Sequence, residues 1–281
     1  MTTTPDAPAV SSMPGILYGT AWKKERTAEL VELAIRQGFR GIDTACQPKH
    51  YHEPGVGEGL AACLGAGLRR DDFYLQTKFT PLDGQDPARV PYDPKAPLAE
   101  QVRQSFAVSL ENLRTDYLDG LVLHSPLRQE RETLEVWRSM EDLHDSGAVK
   151  RLGISNCYQP QLLENLHRAA RIKPAVVQNR FYAETGYDRE IREFCRQHGM
   201  VYQSFWTLTA NPKLLEHATV KQLAAQYRRT PAQILFRYLT QIGIVPLTGT
   251  GSAEHMREDL GIFGFELGEK QCGAVGRLIR S

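Results

Sequence analysis

The 281-residue chain has no excess of charge of either sign: 34 Lys and Arg stand against 33 Asp and Glu, a formal net charge of +1. Binding to nucleic acid or to an anionic membrane surface rests on a basic excess, so neither partner is expected. No apolar run approaches the roughly 18 residues that would span a bilayer. The opening MTTTPDAPAVSS has neither the basic start nor the apolar stretch of a secretory signal, and residues 1–12 read as a short flexible leader to a domain at 13–281. Cysteine is sparse and dispersed. Cys46, Cys63, Cys157, Cys195 and Cys272 make no C-x-x-C pair, which supports neither zinc nor a disulfide framework and suits reduced thiols in a cytoplasmic protein. Internal repeats and low-complexity tracts are missing too. So is a G-x-G-x-x-G after the first β-rich run, the usual mark of a Rossmann dinucleotide site.

What is present is alternation. Gly15-Ile16-Leu17-Tyr18-Gly19-Thr20 reads as a first strand, residues 26–37 carry apolar side chains at helical spacing, and Phe39 to Ala45 reads as a second strand. Further strands are expected near 73–79, 117–124, 149–155, 175–180, 200–206 and 242–248. Helical stretches fall near 98–114, 130–146, 159–170, 187–198 and 231–240. Eight strands in βα order predict an α/β fold, a single-domain (β/α)8 TIM barrel, over a doubly wound sheet. The least regular segment, the proline-rich stretch from Thr80 to Pro97, follows strand three, where a substrate loop would lie.

Polar residues recur at the carboxyl ends of consecutive strands. Asp43 ends the second, Tyr51 follows on its loop, Lys78 ends the third and His124 the fourth. Such ends converge on one mouth of a barrel, so these four can meet. Together they suit proton donation. A phenol titrates near ~10; a lysine ammonium beside it favours the phenolate and lowers that value, a carboxylate keeps the lysine charged, and a histidine orients a carbonyl oxygen. Each also has a plain structural reading: Asp43 as a cap, Lys78 as an ion-pair partner, His124 as a core histidine, Tyr51 as one of eleven tyrosines.

The joint pattern carries further. Gly41-Ile42-Asp43-Thr44-Ala45 with a tyrosine soon after resembles the aldo-keto reductase family. So do Gln76-Thr77-Lys78, Tyr117-Leu118-Asp119 with Leu123-His124, and Leu152-Gly153-Ile154-Ser155-Asn156. Val176-Val177-Gln178-Asn179 and Thr230-Pro231-Ala232-Gln233 continue the order, over about residues 13–266. The resemblance implies a nicotinamide-dependent carbonyl reductase, a barrel that binds NAD(P) without a Rossmann unit, and a monomer. Carried across, it assigns Asp43, Tyr51, Lys78 and His124 to the catalytic tetrad and Ser155, Asn156 and Gln178 to the nicotinamide carboxamide. Gly19, Thr20 and Trp22 fall at the cofactor and substrate pocket. Ser204, Thr248, Glu258 and Asp259 fall where phosphates, ribose and adenine bind.

The chain departs from the family pattern in several places. Pro48 stands where the family has its tyrosine, and three extra residues shift that role to Tyr51. Gln203 stands where an aromatic usually stacks on nicotinamide, leaving Tyr202 or Trp206 as substitutes. In NADPH-preferring members the eighth strand ends in Pro-Lys-Ser with a later arginine; here Leu247 replaces the lysine and His255 aligns with the arginine. NADPH is the expected cofactor, held by hydroxyls, backbone N–H groups and the start of the next helix, with Arg257 a further possible cation and NADH the alternative. Trp22, Phe79, Tyr92 and Trp206 are candidate pocket walls for a small-molecule carbonyl substrate, and no arginine can be placed at the mouth from sequence. Two other classes compete: a metal-dependent barrel hydrolase using the H-x-H of His50 and His52, and a cofactor-binding regulatory barrel with little catalysis.

Overall fold

A computed structural model of the chain describes residues 13–279; the leader expected at 1–12 lies outside the described residues. Its eight strands are β1 (Leu17–Gly19), β2 (Gly41–Asp43), β3 (Tyr74–Phe79), β4 (Gly120–Leu123), β5 (Leu152–Ser155), β6 (Val176–Arg180), β7 (Val201–Phe205) and β8 (Ile244–Thr248). All pair in parallel and in chain order, and β8 closes on β1 through Leu17↔Leu247 and Tyr18↔Thr248. Every expected strand is present but trimmed. The run expected over 117–124 shortens because Leu118 makes only an isolated bridge to Val149.

Around the barrel lie α1 (Thr27–Gln37), α2 (Glu53–Gly65), α3 (Leu98–Leu113), α4 (Glu130–Asp145), α5 (Pro160–Ala169), α6 (Arg189–Gln197), α7 (Pro212–Glu216), α8 (Ala218–Tyr227), α9 (Pro231–Gln241), α10 (Ala253–Leu260) and α11 (Glu269–Leu278). Local chemistry sets several ends. Gly38 closes α1 at φ 119°, a conformation that favours glycine. Thr230 accepts from the Gln233 backbone and Gln233 returns the bond, a capping box that starts α9 at Pro231. Periodicity alone does not mark α2, whose three internal glycines weaken its helical signature. Gly57 has a steric reason: a β-carbon there would overlap the Asn112 carbonyl oxygen of α3. Among the described residues no helix is long and apolar enough to cross a membrane.

The apolar core fills the layer between strands and helices, with Val31, Leu75, Val102, Val136 and Trp137 all buried. Phe79 and Tyr92 belong to this layer and not to a substrate pocket. Neighbouring strand residues face opposite sides, so Lys78 pointing into the barrel sends Phe79 outward, where its ring centre lies 5.6 Å from that of Tyr92. The Tyr92 hydroxyl donates to the Thr80 carbonyl at 2.8 Å, pinning the proline-rich segment to the end of β3. Inside the barrel the floor is polar: Gln76, Gln178 and Gln203 are buried side by side beneath the mouth.

Candidate active site at the mouth of the barrel

Asp43 and Lys78 meet at the top of that floor. The Lys78 ammonium donates to Asp43 Oδ2 at 2.6 Å and to the Thr44 carbonyl at 2.8 Å, with both side chains buried. Asp43 Oδ1 accepts from Gln76 Nε2 at 2.7 Å and Gln178 Nε2 at 2.9 Å. Burial pushes the lysine below its ordinary range, and the Asp43 charge opposes that shift.

Tyr51 reaches the pair through a turn wrapped on Gln47. The His50 and Tyr51 amides donate to the Gln47 carbonyl at 3.2 and 3.1 Å, and Gln47 Nε2 donates to the Gly84 carbonyl at 2.8 Å. The turn presents the tyrosine at the mouth, where it lines the cavity. The Lys78 ammonium lies 5.4 Å from the centre of the Tyr51 ring. The His124 ring stands edge-on to it at 5.9 Å. Thr80 Oγ1 is 2.7 Å from His124 Nδ1, and burial, then the charges of Lys78 and His50, hold the imidazole well below its usual range, hence neutral. The phenol does not follow the expected direction. Burial raises it and Asp43 raises it further, because a carboxylate close by repels the phenolate. Tyr51 therefore stands protonated.

Glu53, two residues on, was not singled out by its sequence. It is buried at the start of α2 and accepts from Ser109 Oγ at 3.0 Å, Asn112 Nδ2 at 3.2 Å and the Thr77 hydroxyl. Burial raises its carboxyl and these donors oppose the rise. The cluster ties the segment carrying Tyr51 to α3 and β3.

Above these groups opens a cavity of about 1000 Å³. Tyr51, Asp43 and His124 line one part of it; Gly19 and Trp22 line it from the β1 side, and Ser155, Asn156 and Gln178 from the side of β5 and β6. Thr248, His255, Glu258 and Asp259 line the side over β8. Thr248 Oγ1 donates to Asp259 Oδ2 at 2.7 Å, and burial raises the Asp259 carboxyl to about 6. Amide and hydroxyl groups at one end, with hydroxyl and carboxylate groups at the other, fit the donor set a nicotinamide dinucleotide needs. Trp22 and Trp206 are 55% and 46% exposed at the rim, each in the left-handed region at φ 64° and 55°.

Some expected residues lie elsewhere. Thr20 is buried off the cavity, its hydroxyl donating to the Asp43 carbonyl at 3.0 Å. Ser204 faces outward from β7 and accepts from Thr207 Oγ1 at 2.9 Å. Tyr202 also faces outward, donating to Asp188 Oδ2. Arg257 turns away to Gln37 Oε1 at 3.2 Å. Gln203 belongs to the floor, and the aromatic one inward step above it is Phe205, which lines the cavity and was missed; strand alternation from Gln203 would have found it. The H-x-H pair separates, His50 stacking on Trp22 at 4.0 Å in the cavity and His52 exposed. No group of three metal-binding side chains forms among the described residues.

Comparison with known proteins agrees along nearly the whole chain. The profile of the Aldo/keto reductase family matches residues 14–280. The oxidoreductase YtbE of Bacillus subtilis is 31% identical over 249 residues, 88% of this chain and 82% of that protein. The NAD(P)H-dependent D-xylose reductase of Pachysolen tannophilus is 28% identical over 306 residues, 95% of this chain and 91% of that protein. A crystal structure of an aldo/keto reductase from Brucella melitensis superposes with a TM-score of 0.80 at 28% identity, covering 94% of this chain and 95% of that one. Barrel, mouth and sequence thus agree, and the chain belongs to the aldo/keto reductase family.

Proposed function

We propose that the protein reduces aldehyde or ketone carbonyls to alcohols, with Tyr51 as the proton donor and NADPH as the preferred cofactor. The observation that carries this reading is the protonated Tyr51 phenol held at the cavity beside the buried Lys78–Asp43 pair. Tyr51 gives its proton to the carbonyl oxygen as negative charge develops there, and the ammonium lies close enough to favour the phenolate left behind. When the Thr80 hydroxyl donates to Nδ1, the neutral His124 carries its proton on Nε2, which can then donate to the substrate oxygen. Asp43, held by two amides, keeps the lysine charged.

A nicotinamide bound against Ser155, Asn156 and Gln178 supplies the hydride for the carbonyl carbon. Phe205, on β7 next to β6, lines the cavity beside that wall. The adenosine end falls to Thr248, His255, Glu258 and Asp259, where Gly249, Thr250 and the Ser252-capped start of α10 present hydroxyls and backbone N–H groups to a phosphate. The test is oxidation of NADPH and NADH by the purified protein across a broad carbonyl panel. Turnover with NADPH is expected, and binding of cofactor with no turnover on any member of the panel overturns the reading.

A further inference from the structure

One cation at the cavity is built into the wall without an acceptor. Arg180 ends β6 two residues after Gln178, so it shares the inward face of that strand one step nearer the mouth, and it lines the cavity. Its guanidinium carbon lies 4.3 Å from the centre of the Trp206 ring and 5.2 Å from that of Tyr182. Its Nε is buried and has no hydrogen-bond partner, and no carboxylate pairs with it among the described residues. The neighbouring charges differ: Asp43 holds Lys78, Glu216 holds Lys221, and Lys23 donates to the Gly249 carbonyl. A buried guanidinium N–H left unmade is costly, and stacking on aromatic faces fixes the plane of the fork without satisfying it. Trp206 is itself in a backbone conformation unfavourable for a bulky residue, at φ 55°. The arrangement is a donor fork awaiting an oxygen anion.

We propose that Arg180 receives the carboxylate of the substrate, making the protein a reductase of aldehydes or ketones that carry an acid group apart from the carbonyl. The proposal rests on the carbonyl-reductase reading above. In the closed order of eight strands, β6 stands opposite β2, whose loop carries Tyr51. An acid held at Arg180 is therefore across the mouth from the proton donor, which calls for a spacer between carbonyl and carboxylate and disfavours a 2-oxo acid. An anionic oxygen could also come from the cofactor diphosphate. The hydroxyls and the helix start suited to phosphate lie over β8, however, with β7 between them and Arg180.

The experiment compares kcat/KM for matched acid and neutral aldehydes, 4-carboxybenzaldehyde with 4-methylbenzaldehyde and succinic semialdehyde with butanal. It uses the wild type, Arg180→Met and Arg180→Lys, with NADPH affinity measured in parallel by fluorescence titration. The wild type should favour the acid member. Arg180→Met should lose roughly 10- to 100-fold on the acids, the scale of one charged hydrogen bond, and stay within about threefold on the neutral aldehydes and on NADPH affinity. Arg180→Lys, which keeps the charge without the fork, should fall between. If Arg180→Met weakens NADPH binding about tenfold and leaves the acid-to-neutral ratio unchanged, the anion is the cofactor diphosphate and the substrate assignment is overturned. Overturning also follows if neither quantity moves. Should the wild type reduce none of the four aldehydes, the reductase reading is what fails, and the arginine is then read by binding alone. Stabilisation of the NADP⁺-loaded protein against heat by benzoate but not benzamide, lost in Arg180→Met, supports the site; equal effects of the two overturn it.

Discussion

Replacing Lys78 with Met removes an ammonium 2.6 Å from Asp43 Oδ2 and leaves the carboxylate buried. Breaking a buried pair from one side costs about 3–5 kcal/mol. Asp43 retains the Gln76 and Gln178 amides at 2.7 and 2.9 Å, so the loss should fall toward the lower end of that range. For 281 residues the melting entropy is roughly 0.6 kcal/mol per degree, and the melting temperature should drop by about 5–8 °C. Asp43→Asn alone removes the charge that opposes burial of the lysine, so Lys78 then sheds its proton more readily. In the double variant neither charge remains, and the combined loss should be less than the sum by at least about 2 kcal/mol. Urea unfolding followed by circular dichroism on all four proteins reads the coupling. Additivity within about 0.5 kcal/mol, or an unchanged melting temperature in Lys78→Met, would refute the claim that this pair is a coupled buried unit.

Tyr51→Phe should lower kcat by roughly 10²–10⁴-fold with NADPH affinity unchanged in a fluorescence titration; near-normal turnover would mean that another group donates the proton. His124 is held neutral in the folded state, so protons bind the unfolded chain first. Its contribution to stability is complete above about pH 6.5 and falls below it by up to about 1.4 kcal/mol per pH unit, a slope that His124→Gln should flatten in unfolding measured from pH 7 to 5. Asp259, raised to about 6, has the opposite sign. Wild-type stability relative to Asp259→Asn should decline as pH rises from about 4 to about 6 and stay level above, and a gap constant across that range would show the carboxyl is unperturbed. In steady-state kinetics kcat/KM should favour NADPH over NADH, and His255→Leu should reduce that ratio; a preference for NADH would overturn the NADPH assignment while leaving carbonyl reduction standing. Gly57→Ala should destabilise by about 1–3 kcal/mol in the same unfolding assay, since the added methyl meets the α3 backbone.

The barrel was legible because each strand is a short apolar run separated from the next by a helix-length segment, and a closed parallel sheet is the arrangement that buries such strands. Asp43, Lys78 and His124 were legible for the same reason: they sit at strand ends, which this topology sends to one mouth. Side-chain direction was harder to read. Phe79 looked like a pocket wall until Lys78 claimed the inward face beside it, and Phe205 and Arg180 were passed over although each is two residues from an inward-facing glutamine. The direction of the Tyr51 shift depends on the depth of the phenol and on its nearness to Asp43, which are properties of three-dimensional distance. Glu53 and its donors come from α2, α3 and β3, and no local pattern announces that meeting.

The glutamine floor has a sense of direction. Gln76 and Gln178 each commit one N–H to Asp43 Oδ1 and another to Gln203 Oε1, and Gln203 returns a bond to Gln76 Oε1 at 3.1 Å. A carboxamide can usually exchange its two ends with no change of shape. Here such a turn by Gln76 or Gln178 would set oxygen against oxygen at two places. The network is therefore written for an acceptor at position 43. An asparagine there would answer both amides with its oxygen only by turning its own NH₂ toward Lys78, donor against donor, so an isosteric exchange at the centre is also a polarity error. Because that specification is complete below the mouth, the loops above are free to change what they admit while the polar floor beneath them stays the same.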